Sequence, residues 1–68
     1  MLNTFEKLLR HIRESSNLSY TYDDGMFLLY RQEVIVLAVI SSRTGEAEQA
    51  EQICIKYNVP TKEERDII

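Results

Sequence analysis

Side chains able to do chemistry are few: one histidine (His11), one cysteine (Cys54) and the adjacent serines Ser15 and Ser16 in a chain of 68 residues. A serine or thiol nucleophile needs a base within hydrogen-bond reach and a third group to orient that base. His11 lies near Ser15 and Ser16 in sequence, but nothing offers itself as the third member, and the two serines read as helix-end residues. Cys54 has no neighbouring His or Cys to lower its pKa or share a metal, so it reads as a small buried hydrophobe. His11 falls between Arg10 and Ile12, off the apolar stripe of its segment, and reads as a solvated surface residue without the companions a metal site needs. The sequence points to no catalytic residue, no metal and no cofactor.

One stretch has the outline of an anion site. Ser41-Ser42-Arg43-Thr44-Gly45 leads from an apolar run into a helical pattern, where backbone N–H groups can meet an anion. It lacks the Gly-rich spacing and the lysine of a phosphate-binding loop, and Glu46 and Glu48 place negative charge in the first turn. Ordinary capping by Thr44 is expected instead.

The remaining candidates are surfaces. Lys7, Arg10, His11 and Arg13 form a basic helix face, partly neutralised by the i,i+4 pairs Glu6/Arg10 and Arg10/Glu14. Glu48 and Glu51, with Glu46 nearby, form an acidic one. Partner contacts are expected at Glu48, Glu51, Lys7 and Arg10, where charge would steer association. A net charge of −3 argues against a nucleic-acid binder working through bulk attraction to phosphate.

These residues are positioned by an α+β arrangement. Phe5, Leu8, Leu9 and Ile12 mark a first helix, capped by Asn3 with Glu6 and ended by Ser15-Ser16-Asn17, where Asn17 suits a left-handed terminal residue. From Leu18 the apolar period becomes two, and Leu18, Tyr20 and Tyr22 predict a strand. Met26–Arg31 and Val34–Ile40 predict two more, joined around Gln32-Glu33. Ala47, Ala50, Ile53, Cys54 and Tyr57 form the stripe of a second helix, stopped by Asn58 and Pro60. Thr61 with Glu64 opens a short tail ending in Ile67 and Ile68. The expected order is helix, three-stranded antiparallel meander, helix and tail, as one domain over residues 1–68 with 60–68 loosely docked.

The first hairpin decides which residues share a face. A three-residue Asp23-Asp24-Gly25 loop would set Tyr22 opposite Met26, whereas a two-residue loop over Asp24-Gly25 would flip the register. In the longer-loop register, which is the expected one, Tyr20, Tyr22, Met26, Leu28, Tyr30, Ile35, Leu37 and Val39 face the helices. Ser19, Thr21, Phe27, Leu29, Arg31, Val34, Val36, Ala38 and Ile40 face away. The second set is apolar on two of its strands, and an uncharged edge strand invites pairing. Homodimerisation through Phe27, Leu29, Val34, Val36 and Ile40 is therefore expected, with folding of the C-terminal tail over this face as the alternative. A ligand held by Tyr20, Tyr22 and Tyr30 would make a sensor, without a polar constellation to recommend it.

One cysteine permits no internal disulfide and suggests the cytoplasm. The longest apolar run, Val34–Ile40, is far short of the roughly 20 residues a spanning helix needs, and charges from Glu6 to Arg13 interrupt any signal-peptide core. The order helix, three strands, helix resembles the topology of the double-stranded RNA-binding domain. That family's second helix starts Lys-rich, whereas Gly45-Glu46-Ala47-Glu48 carries the opposite charge, so its phosphate contacts do not carry over. Small acidic domains also resemble, as a class, phage and mobile-element accessory proteins, including inhibitors of host defence. The expectation is a non-enzymatic, homodimeric interaction domain that regulates or inhibits a larger protein. The alternative is a dimeric nucleic-acid-binding regulator using the basic first helix.

Overall fold

The computed structural model describes residues 3–40 and 45–66. Its elements run α1 (Thr4–Glu14), β1 (Leu18–Asp23), β2 (Met26–Arg31), β3 (Val34–Ile40), α2 (Glu46–Lys56) and α3 (Lys62–Asp66). The strands form one antiparallel sheet in the order β1-β2-β3. This is the α+β meander that the sequence periodicity predicts.

Local chemistry accounts for most boundaries. The Asn3 side chain accepts from the Glu6 N–H at 2.8 Å and starts α1. Thr61 and Glu64 cap α3 reciprocally, the Glu64 N–H donating to Thr61 Oγ1 at 3.0 Å and the Thr61 N–H to Glu64 Oε1 at 3.2 Å. At the end of α2 the N–H of Val59 donates to the Cys54 carbonyl and that of Asn58 to the Ile55 carbonyl. With Asn58 at φ 61°, this is a Schellman stop, and half-buried Val59 closes it against the core. The left-handed residue expected at Asn17 is absent, because α1 ends on Ser15 in extended conformation. The N-cap position of α2 is Gly45 at φ 68°, without a side-chain cap, while Thr44, the expected cap, lies outside the described residues.

The first hairpin corrects the expected register. Asp23 pairs with Met26 and Tyr22 with Phe27 across a two-residue Asp24-Gly25 turn. Both turn residues have positive φ, 49° and 76°, as a primed turn requires, and its twist matches that of the strands. Asp24 tolerates the left-handed region, so the shorter loop prevails. The two faces of β2 are thereby exchanged. Phe27 and Leu29 join Leu18, Tyr20 and Val39 in the core, whereas Met26, Leu28 and Tyr30 turn outward.

A second irregularity acts on β3. The pairing shifts between Leu29/Leu37 and Tyr30/Ile35, leaving Val36 as an extra residue in a bulge. Leu37 and Val39 face the helices as expected, Val36 packs against the core as well, and Ile35 goes to the outer face. The hairpin between β2 and β3 turns on Gln32 at φ 58°, which supplies the left-handed residue that Gly or Asn usually provides.

Both long helices cover the same face. Leu8 is the buried residue of α1, and Ala47, Ala50 and Cys54 are those of α2. The two fully buried alanines allow α2 to approach the sheet closely, and α2 touches all three strands. Tyr57, expected on its inner stripe, lies beyond the last turn as the C-cap and is exposed. The Tyr20 and Phe27 rings stack at 5.6 Å with 23° between their planes. On the outer side of β1, Ser19 is buried with no partner for its hydroxyl among the described residues.

Candidate interaction surfaces

The outer sheet face exposes a row of apolar side chains. Met26 and Leu28 on β2 and Ile35, Ala38 and Ile40 on β3 share it, by register and alternation. Ile40 is 68% exposed, Ile35 52% and Met26 44%, and Val34 beside the Gln32-Glu33 turn is also exposed. No residue of Val34–Ile40 carries a charge. Charged side chains commonly protect such an edge, whereas here the blunting device is the Val36 bulge.

Among its described residues, the C-terminal segment runs along one margin of the sheet. Pro60 and Thr61 run beside β1, the Tyr20 N–H donating to the Pro60 carbonyl at 3.1 Å within a parallel bridge between Tyr20 and Thr61. Lys62 then places its ammonium 5.4 Å from the centre of the Tyr30 ring and 3.1 Å from Glu33 Oε2. This docking ties α3 to the sheet through residues 60–62, so this part of the tail is seated. Ile67 and Ile68 lie outside the described residues.

The anticipated self-association residues therefore separate. Phe27 and Leu29 are fully buried in the core and Val36 is half-buried against it, so none of the three presents a free side chain to a second copy. Ile40 remains exposed on the outer face, whereas Val34, though exposed, pairs with Arg31 and so alternates to the helix side of the sheet, a correction of its expected place. Met26, Leu28 and Ile35 take the vacated places. The signal for the two β2 residues was the Asp24-Gly25 dipeptide, a primed-turn sequence that puts Met26 and Leu28 outside.

The charged candidates lie elsewhere. Glu48 accepts from the Tyr22 hydroxyl at 2.7 Å, and this bond, together with partial desolvation and the charge of Glu48, pushes the phenol up to about 12. Glu51 lines a cleft of about 480 Å³ beside β1 and α3 with Tyr20, Tyr22, Asp23, Thr61 and Lys62. Tyr20 and Tyr22 thus reach this cleft, but Tyr30 lies on the opposite side of the sheet, so no three-tyrosine pocket exists. Lys7 and Arg10 are exposed on α1, and Arg10 meets Glu14 at 3.3 Å, an exposed pair of small energetic value. Half-buried His11 lies beside them. Among the described residues no three His, Cys, Asp or Glu side chains gather as metal ligands would, and no helix is long and apolar enough to cross a membrane.

Cys54 is buried, and desolvation, with the charge of Glu51 adding to it, pushes its thiol up to about 12. The unfolded thiol releases its proton at about pH 8.5–9 while the folded one retains it, so above that range the unfolded state binds fewer protons. Stability is therefore expected to fall as pH rises from about 9 toward 12, with Tyr20 and Tyr22 adding to the loss at the upper end. Urea midpoints at about pH 8 and about pH 10.5 should differ, and Cys54→Ala should shrink the difference. Equal slopes in the two proteins would show the thiol to be accessible.

No protein-family model matches the chain, and no curated protein or solved structure shows significant similarity to it.

Proposed function

We propose that this protein is a non-enzymatic interaction domain, which regulates or inhibits a larger assembly by docking rather than by chemistry. The observation supporting this is the outer sheet face, where Met26, Leu28, Ile35, Ala38 and Ile40 leave an uncharged apolar patch beside an open strand edge. Patches of this kind on folded proteins mark binding surfaces, because exposing them without use invites aggregation.

Binding of nucleic acid through the basic face of α1 is the competing reading. Counterion release would then make affinity for a DNA or RNA duplex fall steeply with salt. Titrating both duplexes from low to physiological salt, with wild type and a Lys7→Glu/Arg10→Glu variant, separates the two. Weak binding that the variant leaves unchanged is expected. Salt-dependent binding that the double variant abolishes would replace the protein-docking reading with the nucleic-acid one.

A further inference from the structure

We infer that the occupant of the outer sheet face is a second copy of this chain, packed sheet against sheet about a two-fold axis with the helices outside. The inference rests on the reading of that face as a protein-docking surface. The centre of the patch is free of charge, with Asp23 and the Lys62–Glu33 pair at its margins, so a copy of itself meets it apolar against apolar at the centre of the contact. From the exposures of Met26, Ile35, Ala38 and Ile40 it offers roughly 350–400 Å² per copy, or about 700–800 Å² for a pair. That lies below the size of standard specific interfaces and suits a weak, reversible dimer of micromolar or lower affinity.

Sheet-against-sheet packing is favoured over joining the two β3 edges. Edge pairing exchanges hydrogen bonds with water for hydrogen bonds with protein, a small net gain, and leaves the apolar side chains in solvent. The Val36 bulge also interrupts the ladder an edge partner would extend. The two arrangements differ at Ala38. The Tyr20 N–H points away from β2 to Pro60, so its partner Leu29 turns its own N–H and C=O toward Leu37 of β3, and the next residue, Ala38, points to the open edge. The side chain of Ala38 lies on the outer face while its N–H lies in the edge.

Light scattering on a dilution series separates the possibilities. Wild type is expected to move from the 8.0 kDa chain mass toward twice that value at high concentration. Ala38→Lys, folded by circular dichroism, should stay monomeric, because it places a charge in the contact. Ala38→Pro removes only the edge donor and should still dimerise. If the proline variant does not fold, amide exchange of wild type decides: Ala38 N–H protection that rises with dimer population would overturn sheet-against-sheet packing in favour of edge pairing. Loss of the dimer in folded Ala38→Pro would do the same. A wild-type monomer at every concentration would overturn the second copy as occupant. The docking reading would then be judged separately, since identical partner capture from cells by wild type and Ala38→Lys would count against it.

Discussion

Phe27→Ala is expected to remove about a third or more of the stability of the fold at 25 °C. The ring is fully buried, stacks on Tyr20, and pairs across the sheet with Tyr22 on one side and Val39 on the other. Truncating a buried phenylalanine costs about 3–5 kcal/mol, because the cavity forfeits both transfer free energy and packing contacts. A domain of this size has roughly 3–10 kcal/mol of total stability. Urea denaturation followed by circular dichroism measures the loss. Met26→Ala is the internal control: its side chain is on the outer face and 44% exposed, so the monomer should lose about 1 kcal/mol or less. If Met26→Ala were the damaging change and Phe27→Ala the mild one, the first hairpin would have a three-residue loop and the two faces would be exchanged.

That one turn marks the boundary of what could be read from sequence. Element order follows from the change of apolar period, three residues then two then three again, and the caps at Asn3 and Thr61 and the stop at Asn58 follow from side-chain chemistry acting within a few residues. Register is different, because one residue more or less in a loop sends every following side chain to the other face. Two loops were open to Asp23-Asp24-Gly25, and the apolar run of β2, Met26-Phe27-Leu28-Leu29, offered hydrophobic residues to both sides, so alternation could not choose between them. In β1 the pattern was clean, and Tyr20 is buried as the alternation predicts. The Val36 bulge was hidden for the same reason as the β2 register, since Val34–Ile40 is apolar at every position.

The site shares this limitation. An excess of apolar residues over what two helices can cover was apparent from composition along β2 and β3, whatever the register. Which of them form the excess was not. Phe27 and Leu29 exchange roles with Met26 and Leu28, so an interface chosen from the longer-loop register would have been probed with core mutations, whose effect on association is confounded by unfolding. Ala38 and Ile40 are safe probes because both registers leave them outside, and Ala38 adds little volume to remove.

The second large effect is expected on the opposite face. Leu8 has no exposed surface and is the residue through which α1 enters the core, with Phe5 and Ile12 half-buried on either side. Leu8→Ala should cost about 2–5 kcal/mol, the upper part of the range applying if the sheet and α2 cannot collapse into the space. α2 is held to all three strands, whereas α1 depends on this single stripe, so the first event should be loosening of α1 rather than loss of the sheet. Amide exchange read segment by segment tests this, with α1 protection expected to fall further than that of β2 and β3. Uniform loss of protection would mean that α1 is part of one cooperative unit with the sheet. A cost within 1 kcal/mol of wild type would mean that the helix is not packed through Leu8 at all. Because α1 lies across the sheet from Ala38 and Ile40, any population of Leu8→Ala that keeps its sheet should also keep the proposed dimerisation, which separates the contribution of the core from that of the surface it supports.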